Sequence, residues 1–254
     1  LPTDGVSAES KPLPKISIVI PAFNEAKLIA TTLEAVFQAR TAYQGEVEVI
    51  VVDNNSSDAT GEIAASMGAM VVFEPINQIA RARNAGGKAA TGDYLIFLDA
   101  DTLIEGDILA KVARSLGSGQ VIGGGAWVEP DSGWFSRLVF KYGINLILAM
   151  RNVTVGPFLY CDRRAFLEVG GFDEELYAAE EFSLAKRLKA LGERTQKKWK
   201  IIRYDAGHRI VTSGRKFDKF GGLEMAARNA HLIWMPNRKL RQKNQCKFWY
   251  DVRK

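Results

Sequence analysis

Short apolar runs alternate with helix-spaced apolar stripes over the first half of the chain, and this rhythm sets the expected fold. Residues 16–20 read as a short strand closed by Pro21. Asn24 can cap a helix in which Leu28, Ile29, Leu33, Val36 and Phe37 form one apolar stripe. Residues 47–52 are apolar except for Glu48, as expected of a strand covered on both faces. Ser56-Ser57-Asp58 then starts a second helix that ends near Gly68, and residues 70–73 form a third short strand. An Ala-rich helix spans about residues 77–90, with Gly92 past its end. The run 94–98 is a buried strand bounded by Thr91-Gly92-Asp93, and a helix follows from about Glu105 to Leu116.

The second half is less regular. Val121 to Val128 reads as a strand with Gly123-Gly124-Gly125 inside it, where backbone could approach a ligand. Trp134 to Met150 reads as an amphipathic helix, Val153 to Tyr160 as a strand interrupted at Gly156-Pro157, and Glu180 to Leu191 as a helix stopped by Gly192. Alternation of this kind predicts an α/β fold: one mostly parallel, Rossmann-like sheet with helices on both faces. Ligands then belong outside the carboxyl ends of the strands. Asp53, Asn54 and Asn55 end one strand and Asp99 and Asp101 another, so all five are expected on one rim.

The stretch Tyr94-Leu95-Ile96-Phe97-Leu98-Asp99-Ala100-Asp101 carries the strongest chemical signal. In extended chain, residues i and i+2 point to the same side, so the two acids can converge on one point. Side by side they would repel, and a hard divalent cation bound through carboxylates and substrate phosphates would answer that repulsion. The plain alternative is that one Asp caps the next helix and the other is solvated.

Composition narrows the class. The 254 residues suit one large domain, and 47% hydrophobic and 25% charged residues are ordinary for a globular protein. No apolar run approaches the roughly 20 residues of a membrane span. Residues 1–15, with three prolines, a glycine and scattered polar groups, read as a flexible leader. Cys161 and Cys246 lack metal-ligand spacing, which favours free thiols in a reducing compartment. The net charge of +5 is concentrated in residues 238–254, where seven basic residues face only Asp251.

Six short stretches resemble the family 2 glycosyltransferases, with the GT-A fold, over about residues 16–217. They are Ile18-Val19-Ile20-Pro21-Ala22-Phe23-Asn24-Glu25, Val51-Val52-Asp53-Asn54-Asn55-Ser56-Ser57-Asp58, Ala82-Arg83-Asn84-Ala85-Gly86, Phe97-Leu98-Asp99-Ala100-Asp101, Gly170-Gly171-Phe172-Asp173-Glu174, and Glu180-Glu181 with Arg187. The resemblance implies a nucleotide-sugar half at about 16–102, an acceptor half at about 103–217 and a separate basic, aromatic segment at 218–254. It implies transfer of a sugar from a nucleotide-diphosphate sugar, UDP-linked by preference and GDP-linked as the alternative, in cell-surface polysaccharide or glycolipid synthesis. Pro21, Ala22, Phe23 and Glu25 match the loop that holds the nucleoside, and Asp53, with Asn55, matches the carboxylate that binds the base. Arg83 matches a basic residue near the nucleotide. Asp99, Ala100 and Asp101 match the DXD motif, whose carboxylates Asp99 and Asp101 would hold Mn²⁺ or Mg²⁺ on the diphosphate.

The same resemblance makes Glu181 the general base of an inverting transfer, with Glu180 as the neighbouring candidate. This chain departs from the family's Glu-Asp pair by having Glu181, and both acids also suit a helix N-terminus. His208 is the candidate to complete the metal shell and Arg215 to grip the diphosphate. Gly156, Pro157 and Trp127 are expected on the acceptor side, although Trp127 and Trp134 also suit a core. The basic tail, with Trp234, Phe248, Trp249 and Tyr250 nearby, suits either an anionic membrane surface or a solvated helix. A cytoplasmic protein, peripheral at the inner face of a membrane and using a glycan or lipid-linked acceptor, fits both the resemblance and the tail. No nucleic-acid motif accompanies the charge. Two alternatives stay open on the same scaffold: transfer to a polyprenyl phosphate, and a non-catalytic nucleotide-sugar-binding protein. A sugar-1-phosphate nucleotidyltransferase is disfavoured because Pro21-Ala22-Phe23-Asn24-Glu25 stands where a Gly-rich, Arg-containing loop belongs.

Overall fold

The computed structural model describes residues 12–131, 133, 145–146, 156–203, 205–214, 240–242 and 246. The expected helix over 134–150, apart from residues 145–146, lies outside these residues, as do Arg215, His231 and nearly all of the basic tail.

The first half alternates as the sequence predicts: β1 (Ile16–Ala22), α1 (Ile29–Arg40), β2 (Val47–Asp53), α2 (Thr60–Ser66), β3 (Met70–Phe73), α3 (Ile79–Ala89) and β4 (Tyr94–Leu98). There follow β5 (Thr102–Gly106), α4 (Ile108–Gly117), β6 (Val121–Ala126), β7 (Glu129–Asp131), β8 (Phe158–Asp162), α5 (Arg163–Glu168), α6 (Glu180–Arg194), β9 (Lys198–Ile202) and β10 (His208–Ser213). Seven strands form one sheet in the order β3-β2-β1-β4-β8-β6-β9, and β5-β10-β7 form a second. Within the large sheet only β8 runs against its neighbours. Alternate residues of each central strand feed opposite layers: Ile18 and Ile20 pack with Leu33 and Val36, whereas Val19 packs with Val52, Phe97 and Leu184. Two-sided burial explains why these runs are apolar throughout instead of alternating.

Several boundaries move for identifiable reasons. β1 continues through Pro21, which lies beyond the last β1–β4 pair, Val19 with Phe97, so one ladder has already ended there. Asn24 does not cap α1, which starts at Ile29; it sits at φ 53°, and its side chain accepts from the Ser57 backbone N–H at 2.8 Å, tying two rim loops together. The Glu105–Leu116 helix begins later, at Ile108, because Thr102–Gly106 pairs with β10 more than 100 residues on, a partner local pattern cannot reveal. The glycines of β6 admit a neighbouring strand and not a ligand: a Cβ on Gly124 would lie 1.7 Å from the Lys200 carbonyl oxygen. Gly192 does not stop α6, which reaches Arg194; its carbonyl accepts from Lys197 N–H at 2.8 Å as the chain folds back.

These placements put the carboxyl ends of β1, β2, β4 and β6 on one rim. Because β8 is antiparallel, its beginning lies there too, with Phe158 opposite Leu98. Helix α3 crosses beneath this rim, and a Cβ on Gly86 would stand 2.3 Å from Val19 Cγ1 and 2.9 Å from Val52 Cγ2. The Gly86→Ala variant should be destabilised by about 1–2 kcal/mol, since overpacking of about 1–3 kcal/mol outweighs the gain of up to about 1 kcal/mol in helix propensity. Urea denaturation measures this, and an unchanged midpoint would show that α3 has room to move off the sheet.

Candidate active site

The rim begins with two loops held by their own polar side chains. After β1, the Asn24 N–H donates to Ser56 Oγ at 3.1 Å and the Glu25 N–H to Thr60 Oγ1 at 2.9 Å. After β2, Asp53 Oδ1 accepts from the N–H of Ser56, three residues on, at 2.9 Å, and its other oxygen lies against Gly61. Ala22 and Glu25 are buried, Phe23 and Asp53 half-buried, and Asn55 exposed at φ 65°. The structure therefore brings Pro21, Ala22, Phe23, Glu25, Asp53 and Asn55 to one end of β1 and β2.

Asn54, between two of these residues, was not singled out for a role, yet it ties the rim together. Its Nδ2 donates to the carbonyls of Ile76 at 2.6 Å and Glu74 at 3.2 Å, while its Oδ1 accepts from Gln78 N–H at 2.9 Å. It thus joins β2 to the loop that leads into α3. The only sequence signal was an amide directly at a strand end.

Asp99, Ala100 and Asp101 lie in a turn between β4 and β5, so the extended i, i+2 geometry does not apply. Three elements fix that turn: Thr32 Oγ1 of α1 donates to the Ala100 carbonyl at 2.7 Å, Asp99 N–H to Pro157 O at 3.2 Å, and Ser213 N–H to Asp101 O at 3.0 Å. Asp99 turns inward, where Oδ1 meets Arg83 Nη2 at 2.9 Å. The cation beside Asp99 is thus a guanidinium of the protein itself.

Arg83 is only 2% exposed. Besides Asp99, it donates through Nη1 to Glu180 Oε1 at 2.6 Å and through Nη2 to the Gly156 carbonyl at 3.3 Å, while the Phe172 ring covers it at 5.3 Å. Both Nη groups pair with carboxylates, and Nε is buried without a hydrogen-bond partner among the described residues. Glu180, 3% exposed, is neutralised by this contact. Glu181 is half-buried on the next position of α6, and a Cβ on Gly156 would lie 3.3 Å from its Oε1. Burial and the adjacent Glu180 carboxylate push the Glu181 carboxyl well above the usual carboxylate range, against a smaller opposing pull from Arg83. Gly156 and Pro157 therefore do lie beside the paired acids.

His208 does not join Asp99 and Asp101. It pairs opposite Gly106, whereas Thr212 pairs opposite Thr102, which puts it four residues, about 13 Å, along the strand from the turn. It gathers instead with Asp107 and Asp205, and the center of that group is taken: Lys111 Nζ lies 2.8 Å from Asp107, 2.5 Å from Asp205 and 2.9 Å from His208 Nδ1. A lysine ammonium fills the place a metal would occupy. Trp127 is half-buried beyond β6, with the Arg203 guanidinium 5.8 Å over its ring. Arg187, the last residue of the matched set, holds the Gly170-Gly171 turn through the carbonyls of Val169 at 2.5 Å and Gly171 at 2.6 Å. Both cysteines are free and buried.

For a divalent cation, Asp99 and Asp101 supply hard oxygen donors at the rim, but Asp99 has one oxygen committed to Arg83. Among the described residues the turn forms no three-ligand cage. The donor set fits an ion held by one or two carboxylates and completed by water and substrate phosphates, as Mg²⁺ commonly is.

A mostly parallel sheet with an acid-lined rim and a buried arginine defines an α/β transferase scaffold of the GT-A type. A family model, "Glycosyl transferase family 2", matches residues 17–169, and the chain belongs to that family of glycosyltransferase enzymes. It is 27% identical over 207 residues to an uncharacterized glycosyltransferase of Mycobacterium tuberculosis, covering 79% of this chain and 88% of that one. Its fold resembles S. aureus TarS 1-349 in complex with UDP-GlcNAc, with TM-score 0.60 and 20% identity over 78% of this chain and 58% of that one. It also resembles a mannosyltransferase from Pyrobaculum calidifontis in complex with GDP-Man and Mn²⁺, with TM-score 0.59 and 19% identity over 86% and 64% of the two chains. The chain thus spans about three fifths of the length of these solved structures. No helix among the described residues is long and apolar enough to cross a membrane.

The Asn54→Ala variant strands one buried N–H, that of Gln78, and two partly buried backbone carbonyls. It should cost about 2–4 kcal/mol in chemical denaturation; a loss below about 0.5 kcal/mol would show that the loop into α3 is held by other means.

Proposed function

We propose that the protein transfers a sugar from a nucleotide-diphosphate sugar to an acceptor hydroxyl with inversion at the anomeric carbon. UDP is the favoured nucleotide and GDP the alternative. The observation that carries this reading is Glu181: a half-buried carboxylate of raised proton affinity at the rim, beside a neighbour paired with Arg83. Its separation from Glu180 in role follows from environment, since one acid is spent in an ion pair and the other is not.

Asp53 and the loop Pro21–Glu25 bind the nucleoside, with Asp53 accepting from the base. Glu181 takes the proton of the acceptor hydroxyl as its oxygen bonds to the anomeric carbon. The bond from that carbon to the β-phosphate oxygen breaks, and the nucleoside diphosphate leaves with the electron pair. Asp101, with Asp99 alongside, would hold Mn²⁺ or Mg²⁺, which would supply positive charge to stabilise the departing diphosphate. Gly156 and Pro157 border the acceptor side, with Trp127 and Arg203 further along the rim. Arg215 is the proposed diphosphate contact. The basic segment 238–254 brings the enzyme to an anionic membrane surface, where a lipid-linked acceptor would lie; deleting it should abolish co-sedimentation with anionic liposomes at low salt.

With UDP and Mn²⁺ together the melting temperature should rise, as expected for ligands that bind only the folded state. Asp101→Asn should remove the metal-dependent part of the rise. Glu181→Gln should lower turnover about 10²–10⁴-fold while UDP still binds. A base works deprotonated, so turnover should fall as pH drops through the Glu181 pKa. That acid limb should lie well above the pH of about 4–5 at which ordinary carboxylates ionise. A limb at the ordinary position, or full activity in Glu181→Gln, would remove Glu181 from the chemistry and point to an acceptor that carries its own charge, such as a phosphate.

A further inference from the structure

We propose that Arg83 is a positioning residue: helix α3 acts as a rack that fixes the segment 171–181, and Arg83 is the member of that rack that sets the Glu180–Glu181 pair relative to the Asp99 turn, without contacting the nucleotide. The proposal rests on the assignment of Glu181 as base made above.

The rack is built from side chains spaced along α3 and just before it. Gln78 Nε2 donates to the carbonyls of Glu174 at 2.6 Å and Leu176 at 3.0 Å. Arg81 pairs with Glu174 at 3.3 Å. Asn84 accepts from Phe172 N–H at 2.7 Å and returns Nδ2 to Phe172 O at 3.0 Å, a two-way clasp on one peptide segment, with a further bond to Glu174 Oε1 at 2.9 Å. Arg83 completes the series at Glu180. The chain enters α6 through Ala179 at φ 62°, a left-handed conformation a non-glycine residue holds only when its surroundings enforce it. Anchors on both sides of that residue supply the enforcement.

Two features separate this role from nucleotide binding. A phosphate or ribose taking either Nη group would displace Asp99 or Glu180 from its counter-charge, and the remaining donor, Nε, is buried without a partner among the described residues, out of reach of solvent. A planar fork with two Nη groups can also hold Asp99 and Glu180 at a fixed separation, whereas a lysine offers one point charge. One guanidinium thus spans the acid of the donor turn and the acid of the acceptor-side helix.

The test uses Arg83→Lys and the isosteric Glu180→Gln, each with two measurements. Hydrogen–deuterium exchange should rise at least tenfold across 171–181 in Arg83→Lys, with residues 50–58 unchanged, and UDP with Mn²⁺ should bind within about threefold of the parent. Hydrolysis of UDP-GlcNAc and of GDP-mannose supplies the kinetics: kcat should fall at least 30-fold with KM changed by less than threefold. Glu180→Gln, which keeps every atom position, should show the same split if the lysine variant does not fold. UDP affinity reduced more than tenfold with 171–181 still protected would overturn the proposal and return Arg83 to the nucleotide. Failure of the base assignment shows separately, as normal hydrolysis by Glu181→Gln, while exchange still decides the role of Arg83.

Discussion

The guanidinium of Arg83, buried between Asp99 and Glu180, is the interaction on which the rest of the rim depends. Ionised acids are not tolerated in a buried site without a partner, and removing one member of such a pair typically costs about 3–5 kcal/mol. Here a single cation answers two acids from elements about 80 residues apart in sequence, β4 and α6. The turn after β4 and the start of α6 are therefore forced together, and Gly156, whose carbonyl takes a further Nη2 bond, is drawn in with them. Glu180 is held by that ion pair, while Glu181, on the next position of α6, has its proton affinity raised by burial and by the Glu180 charge.

The sheet supplies the platform for that interaction. Strands close-packed on both faces cannot shift register without mispacking the side chains of two layers, so the ends of β1, β2 and β4 are fixed relative to one another. Reversing β8 places the loop that leads into it, Gly156-Pro157, at this rim; before a parallel strand the same loop would lie at the opposite edge of the sheet. The second sheet pins the Asp99–Asp101 turn from the opposite side through Ser213. Acidic side chains at the rim are thus held by backbone contacts from three directions, which is how an exposed turn can present them in constant geometry.

Much of this was legible in the sequence because it is local. Apolar runs such as 16–20, 47–52 and 94–98 gave the parallel strands, and their polar ends gave the rim. What stayed hidden depends on distant partners. Nothing near residue 102 announces a strand that pairs with His208–Ser213, so local pattern extends the following helix back to Glu105; the same pairing sets His208, which the resemblance offers to the metal, away from the Asp99–Asp101 turn. Likewise a lone arginine in a helix carries no sign that two acids 16 and 97 residues away will pair with it, so the bridge made by Arg83 is visible only in the fold. The rim position of Asn54 is legible, but its bonds are not, because its partners, Glu74, Ile76 and Gln78, are brought to it by β3 pairing with β2. Glycines 123–125 were placed near a ligand when the close neighbour is strand β9.

The most direct test is a crystal structure of the protein grown with UDP and Mn²⁺. The account requires the uracil beside Asp53, the diphosphate and its cation at the Asp99–Asp101 turn, and Arg83 still bridging Asp99 and Glu180. A nucleotide seated away from that rim, or a phosphate resting on the Arg83 guanidinium with Glu180 displaced, would contradict it.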